Sequence, residues 1–144
     1  MLNYKKIISR LLDQNIYILS NDNKEAIIID PGLGFDLIDG YLKSENLSPI
    51  AVLATHAHID HIASANDCIK NYDIPFYICR GNKIMLDHYD IMKGYMHVDS
   101  EKPEVSHWIE ESEKKLTVGS FEFNVNYNPG HSPGCMSFEI DSLI

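Results

Sequence analysis

This sequence lacks what would place a chain in a membrane or on a polyanion. No apolar run reaches the roughly 20 residues that a spanning helix needs. The N-terminal stretch "MLNYKKIISRLLDQNIYILS" is interrupted by Ser9, Arg10, Asp13, Gln14 and Asn15, so it reads as neither a signal peptide nor a spanning helix. Positive charge is scarce: 12 Lys and Arg stand against 21 Asp and Glu, a formal net charge of −9, with no basic cluster. Nucleic acid and anionic membrane are therefore disfavoured as partners. Cysteine is sparse too, and Cys68, Cys79 and Cys135 are odd in number and widely spaced. That argues against a disulfide framework and for a reducing, cytoplasmic setting. There is no internal repeat, low-complexity tract or linker, and 144 residues at 44% hydrophobic content suffice for one globular core.

What is present alternates strand and helix. "NIYILSN" and "KEAIIID" are β-rich runs around the polar Asn21, Asp22 and Asn23, a hairpin pattern that ends at Pro31-Gly32. "FDLIDGYLKSEN" sets Leu37, Ile38, Tyr41 and Leu42 on one helical face, with Gly40 as its weak point. "IAVLAT" has no polar alternation, as expected of a strand buried on both faces. After it, "DHIASANDCIKNY" reads as a helix and "IPFYIC" as the next strand, which makes a parallel crossover. "NKIMLDHYDIMKGYM" reads as helical, and residues 97–115 as an acidic surface loop with one short helix. From Leu116 the period changes to two: Phe121, Phe123, Val125 and Tyr127 alternate with polar residues in a half-buried strand. "NPGHSPG" is a turn-rich loop and "CMSFEID" a further strand. The fold class is α/β, or α+β.

The chemistry concentrates in "THAHIDHIAS", which packs His56, His58, Asp60 and His61 into six positions after the buried strand. Four potential ligands spaced His-x-His-x-Asp-His cannot converge from a regular element, because strand neighbours point to opposite faces and i, i+2 residues on a helix diverge. They require a loop. The C-terminal end of a parallel strand, just before a helix, is where open α/β sheets place their sites. Neutral imidazoles with a carboxylate suit zinc, and also iron or manganese. The rival reading, a polar surface loop, needs such a spacing to arise by chance in a chain with seven histidines. His131 lies in "NPGHSPG", where glycines permit close backbone approach and prolines stiffen the turn. Beside the first motif it becomes a candidate further ligand.

Together "THAHIDH" and "PGHSPG" resemble the metallo-β-lactamase fold superfamily. The layout from the hairpin through "IIIDPG" to "PGHSPGCMSFEID" is most similar to its glyoxalase II-like hydrolases. The resemblance implies a four-layer αββα sandwich with a metal site at one edge of its two sheets. It also implies that His56, His58 and His131 bind a first metal ion, that Asp60 and His61 contribute to a second, and that Asp60 orients or deprotonates a metal-bound water. Such a water loses its proton near neutral pH and attacks a carbonyl; in the glyoxalase II-like branch the bond cleaved is a thioester. The expected cofactor is zinc, one or two ions, with iron or manganese as alternatives, and the expected partner a small acyl or thioester substrate.

Two departures qualify the resemblance. Members of that family continue past the strand equivalent to "CMSFEID" to an aspartate that bridges both metals and to a later histidine, and neither has a counterpart in these 144 residues. Asp141 precedes the bridging position and is not assigned that role. The expectation is one domain over residues 1–144 with an incomplete second half, an unfinished sheet edge and apolar face, and self-association through that sheet, unless the chain is a piece of a longer protein. Two alternatives to a hydrolase follow: a mononuclear iron enzyme of the persulfide dioxygenase type, and a non-catalytic metal-binding or assembly module. Nothing singles out a β-lactam pocket. His88, His97 and His107 read as ordinary surface or packing residues, or as parts of a lid. Cys68 and Cys135 read as packing residues, the latter within reach of the metal. Asp30 reads as a turn cap or a support for the metal histidines, and Trp108 as a packing anchor or a substrate wall.

Overall fold

A computed structural model describes residues 2–140, so Asp141 lies outside the described residues. Among these residues nine strands form two sheets. The larger sheet contains β1 (Asn3–Ile8), β2 (Asn15–Ser20), β3 (Glu25–Ile29), β4 (Ser48–Ala54), β5 (Phe76–Cys79) and β6 (His107–Ile109), in that spatial order. β1 to β3 pair antiparallel and β3 to β6 parallel. The smaller sheet is the antiparallel series β7 (Lys115–Val118), β8 (Phe121–Tyr127) and β9 (Met136–Glu139). The helices are α1 (Phe35–Ser44), α2 (Ile59–Ile62), α3 (Ala65–Tyr72), α4 (Lys83–Asp87) and α5 (Tyr89–Met96).

The central strands are apolar on both faces because each face has its own partner. Ile18, Ile28, Val52, Ala54 and Ile78 point to one side and pack with Ile38, Leu42, Ile62, Cys68, Leu86 and Tyr89 of the helices. Their neighbours Leu19, Ile27, Ile29, Ala51 and Leu53 point to the other side and meet Leu116, Val118, Phe121, Phe123, Val125, Met136 and Phe138 of the smaller sheet. Three layers result, helices over sheet over sheet. Every described helix that buries apolar residues does so on the first face.

Four details differ from the sequence reading. The expected helix over "DHIASANDCIKNY" is split at Ala63 and Ser64. Ser64 donates its N–H to the Pro31 carbonyl at 2.9 Å, and its Oγ accepts the Gly34 N–H at 3.2 Å. These bonds to the loop after β3 replace helical ones. Residues 107–109 are a strand within a stretch expected to be a surface loop with one short helix; the Ser106 N–H bonds the Phe76 carbonyl at 3.0 Å, a partner 30 positions away that no local pattern announces. β1 is an additional edge strand whose Lys5 and Lys6 are exposed, a charge placement that discourages pairing with other chains. Finally, among the described residues the outer face of the smaller sheet is polar: Lys115, Thr117, Glu122, Asn124, Asn126 and Glu139 are exposed there. Among the described residues β9 pairs only with β8.

The inter-sheet layer depends on Phe123, which is 2% exposed and meets Phe138 edge-on at 6.0 Å between ring centroids. Phe123→Ala removes a full aromatic ring from this layer and is expected to cost about 3–5 kcal/mol in urea unfolding at an unchanged m-value. A loss below about 1 kcal/mol would mean that the sheets do not close on each other here.

Candidate metal centre

The site forms where β4 ends. A strand buried on both faces delivers Thr55 and His56 to the rim of the sheet, and a loop then carries His58 to the start of α2. The opposing sheet delivers His131 on the 128–135 loop between β8 and β9. The Met136 N–H donates to the Thr55 carbonyl at 2.9 Å, which joins the two sheets at this point.

One nitrogen from each of His56, His58 and His131 lies within 4.8 Å of the others, close enough to share a metal ion. The rings meet edge-on, with centroids 4.7 Å apart for His56 and His58, 5.0 Å for His56 and His131, and 4.5 Å for His58 and His131. Asp60 and His61 form a pair beside this group. His61 Nε2 is 3.5 Å from Asp60 Oδ2, and its ring centroid is 4.1 Å from that of His56.

Asp30 sets the orientation of two of these imidazoles. It follows β3 at φ 52°, a left-handed conformation that Asp tolerates better than most residues. Its Oδ1 accepts the Thr55 N–H at 2.7 Å, and its Oδ2 accepts the Thr55 hydroxyl at 2.7 Å and lies 2.9 Å from His61 Nδ1. Because the Thr55 hydroxyl proton goes to Asp30, its oxygen is left to accept from His56 Nδ1 at 3.0 Å. His56 Nε2 then carries a lone pair. That atom is buried and has no hydrogen-bond partner, a costly arrangement for a nitrogen lone pair unless a Lewis acid completes it. Three imidazoles converging on one point, one of them with a buried orphan nitrogen, fit a divalent metal ion.

The electrostatics agree with that reading. Burial, followed by repulsion from His61, pushes His56 down to about 4 against the attraction of Asp30, with His58 and His131 adding smaller repulsions. Burial and the proximity of His131 also lower His58. Both are neutral, and so able to coordinate, at ordinary pH. For His61, burial acts downward, but the Asp30 hydrogen bond and the charges of Asp30 and Asp60 outweigh it and leave the group raised.

The structure thus brings His56, His58 and His131 together and sets Asp60 with His61 at their side. Of the two readings left open for Asp30, it occupies a turn and also supports the histidines. The other histidines lie elsewhere in the structure. His88 Nδ1 bonds the Ile84 carbonyl at 2.8 Å, His97 ends α5, and His107 stacks on Tyr77 with centroids 5.1 Å apart. Trp108 packs against the helix-side core with Arg80 over its ring at 5.8 Å. Cys68 is fully buried in that core. Cys135 accepts from the Ser132 hydroxyl at 3.4 Å, outside the three-histidine group. It borders a cavity of about 360 Å³ that opens beside His56 between Tyr17, Ile29, Met136 and Phe138. Sequence reasoning gave no role to Thr55 or Asn82. The partners that tie them to the rest of the site are 25 to 52 positions away, so only the fold reveals them.

Comparison with known proteins agrees with this geometry. The metallo-beta-lactamase superfamily matches residues 9–144. The chain is 32% identical over 131 residues to the "probable metallo-hydrolase YqgX" of Bacillus subtilis, covering 90% of this chain and 61% of that protein. It is 28% identical over 127 residues to a hydroxyacylglutathione hydrolase of Bdellovibrio bacteriovorus, covering 88% and 43%. Among solved structures, the BLEG-1 B3 metallo-beta-lactamase superposes with a TM-score of 0.85 at 36% identity, over 96% of this chain and 67% of that one. TTHA1623 in a di-iron-bound form gives 0.81 at 26% identity, over 94% and 66%. The chain thus spans about three-fifths of the length of the first curated relatives it matches.

The shifted histidines give metal-free stability a definite pH dependence. His56 titrates near 4 when folded and near 6.5 when unfolded. Between those values the unfolded chain holds a proton that the folded chain does not, so stability is lost as pH falls through this window. His58 acts in the same sense; His61, raised, acts in the opposite one. The urea midpoint of the metal-free protein is expected to drop between about pH 7.5 and 4.5, and His56→Gln to flatten that decline. An equal slope in parent and variant would remove His56 from the account.

Proposed function

The chain belongs to the metallo-β-lactamase superfamily, and from that premise we propose that it is a metal-dependent hydrolase of small acyl substrates, thioesters foremost. The observation that carries the reading is the convergence of His56, His58 and His131 around the buried, unpartnered Nε2 of His56. The likeness to hydroxyacylglutathione hydrolases supports the thioester as substrate class.

In this reading His56, His58 and His131 hold the ion. When bound, a zinc-type ion supplies an acidified water and a Lewis-acid contact for a carbonyl oxygen. The chain's own residues do the rest. Asp60, in the first turn of α2, lies beside the triad and takes up a proton at its carboxylate or orients the attacking water. Asp30 holds His61 through Nδ1, which leaves Nε2 facing Asp60. Among the described residues Asp60 and His61 provide two donors toward a second ion, fewer than a tetrahedral site requires, so one tightly held ion at the three histidines is expected. The apolar walls beside His56, from Tyr17, Ile29, Met136 and Phe138, give an acyl chain somewhere to lie. The same reading includes self-association through the open edge of β9; sedimentation as a single monomeric species would count against that part.

The test uses the purified chain with zinc or iron added. Metal content, thioester hydrolysis, β-lactam hydrolysis and persulfide-dependent oxygen uptake are measured in parent and in a His56→Ala, His58→Ala double variant. The expected result is close to one ion per chain, with thioester turnover that falls at least about 100-fold in the variant. Zinc at about 100 times its dissociation constant should stabilise the parent by about 2.7 kcal/mol and leave the variant unmoved. β-Lactam turnover alone, or oxygen uptake alone, would replace the thioester reading. An absence of metal and of all three activities would reduce the chain to a binding module.

A further inference from the structure

Asn82 is fully buried, 0% exposed, at the end of the 3-10 turn Arg80–Asn82 that follows β5. It belongs to neither ligand motif, yet its side chain reaches both. The amide Oδ1 accepts the N–H of Ala57, the residue between His56 and His58, at 3.0 Å. The Nδ2 donates to the carbonyl of Gly134, three positions after His131, at 2.8 Å, and to its own turn at the Cys79 carbonyl at 3.0 Å. Three of the four bonds a primary amide can make are thus used, and all go to backbone.

The contact is close enough to dictate its neighbours. A Cβ on Gly134 would fall 2.4 Å from Asn82 Nδ2, and one on Gly81 would fall 2.6 Å from the Pro133 carbonyl oxygen. Two glycines therefore let the Gly81-Asn82 and Pro133-Gly134 segments interlock. The 128–135 loop is otherwise tied mainly to itself, through Asn128 N–H to the Cys135 carbonyl at 2.8 Å and the Tyr127 hydroxyl to the Pro133 carbonyl at 2.7 Å. Those bonds shape the loop, but they do not say how far it stands from His58.

We propose that Asn82 is a positioning residue that fixes the separation of the two ligand-bearing loops, holding His131 against His56 and His58 before any ion arrives. The inference rests on the metal-centre reading of the three histidines. It follows from the chemistry of the amide: asparagine donates two hydrogen bonds and accepts another while carrying no charge into a buried position, whereas a serine or threonine hydroxyl has a single proton to donate. Aspartate keeps the acceptor for Ala57 and loses both donated bonds; alanine loses all three. In either variant His131 must be recruited by the ion itself, and the ordering cost appears as weaker binding.

The experiment measures zinc affinity of the full chain by competition with a chromophoric chelator in the parent, Asn82→Ala, Asn82→Asp and Gly134→Ala. Phe123→Leu, a lesion in the inter-sheet core, serves as the control for general destabilisation. Alongside, proton NMR of the metal-free proteins follows the nuclear Overhauser contact between the His58 and His131 rings, whose centroids are 4.5 Å apart. Expected is an affinity lower by about 10- to 100-fold in the Asn82 variants, loss of the ring contact, and Phe123→Leu within about twofold of the parent with the contact kept. Gly134→Ala, which disturbs the same interlock from the other side, should behave as the Asn82 variants do and carries the comparison should those not fold. Affinity unchanged in the variants, an equal loss in Phe123→Leu, or a ring contact that survives in Asn82→Ala would each overturn the proposal. A parent that binds no zinc would instead defeat the metal-centre reading, and the ring contact alone would then decide the role of Asn82.

Discussion

The carboxylate of Asp30 is the group on which the geometry of the centre depends. It sits behind the histidines, with one oxygen on the Thr55 backbone and the other shared between the Thr55 hydroxyl and His61. Each bond does local work, but together they decide which nitrogen of two imidazoles is free. His61 is held directly and His56 through a hydroxyl whose own proton is already committed. Remove the carboxylate and Thr55 regains a proton to donate, His56 can take the other tautomer, and a lone pair turns away from the centre. The same residue ends β3 in a left-handed conformation. Chain reversal and ligand orientation are thus one constraint.

That constraint is possible because the fold brings three chain ends to one rim. β3, β4 and β5 are parallel neighbours, so their C-terminal ends emerge on the same edge, the usual place for a site in such sheets. β3 contributes Asp30, β4 contributes Thr55 and the His56 loop, and β5 leads to Asn82. The second sheet adds His131 from across the layer, and the bond from Met136 to Thr55 keeps the two rims in contact. Gly32 shows how tightly the rim is packed: a Cβ there would meet Gln14 Oε1 at 2.3 Å and the Asp60 carbonyl oxygen at 2.5 Å. Loops at this edge carry function, but what fixes them is the packed strand beneath each one.

The sequence displays some of this and conceals the rest for a physical reason. His56, His58, Asp60 and His61 are legible because their spacing is incompatible with a regular element, and His131 because it shares a Gly/Pro turn after an alternating strand. The buried strands β3 and β4 are legible from unbroken apolar runs, and β8 from its period of two. Asp30 was open to two readings, and both describe it. Hidden features are those set by partners distant in sequence. Residues 107–109 are too few to show a period and become a strand only because β5 offers them a ladder. The break after Ile62 follows from Ser64 bonding to residues 31 and 34. Asn82 looks like any polar residue after a strand, and its meaning lies 25 positions upstream and 52 downstream. Local pattern reports which residues can do chemistry; the braces that aim them are long-range.

Charge supplies the last step. Three neutral imidazoles leave a divalent ion with its full charge in a half-buried setting, where uncompensated charge is expensive. Two carboxylates stand near enough to offset it: Asp30 in the layer behind, through His61 and Thr55, and Asp60 at the flank, 3.5 Å from His61 Nε2. Neither needs to touch the ion to do so. This places the negative charge where it lowers the cost of binding while leaving a coordination position open to a carbonyl oxygen. Burial and the neighbouring His61 push His56 down to about 4, while the Asp30 hydrogen bond and the charges of Asp30 and Asp60 outweigh burial and raise His61 beside it. The buried face of the cluster is kept neutral to accept a cation, and the raised His61 lies on the side that Asp30 and Asp60 bracket. A site organised this way exchanges protons for metal, and its affinity must weaken toward acid even with every ligand in place.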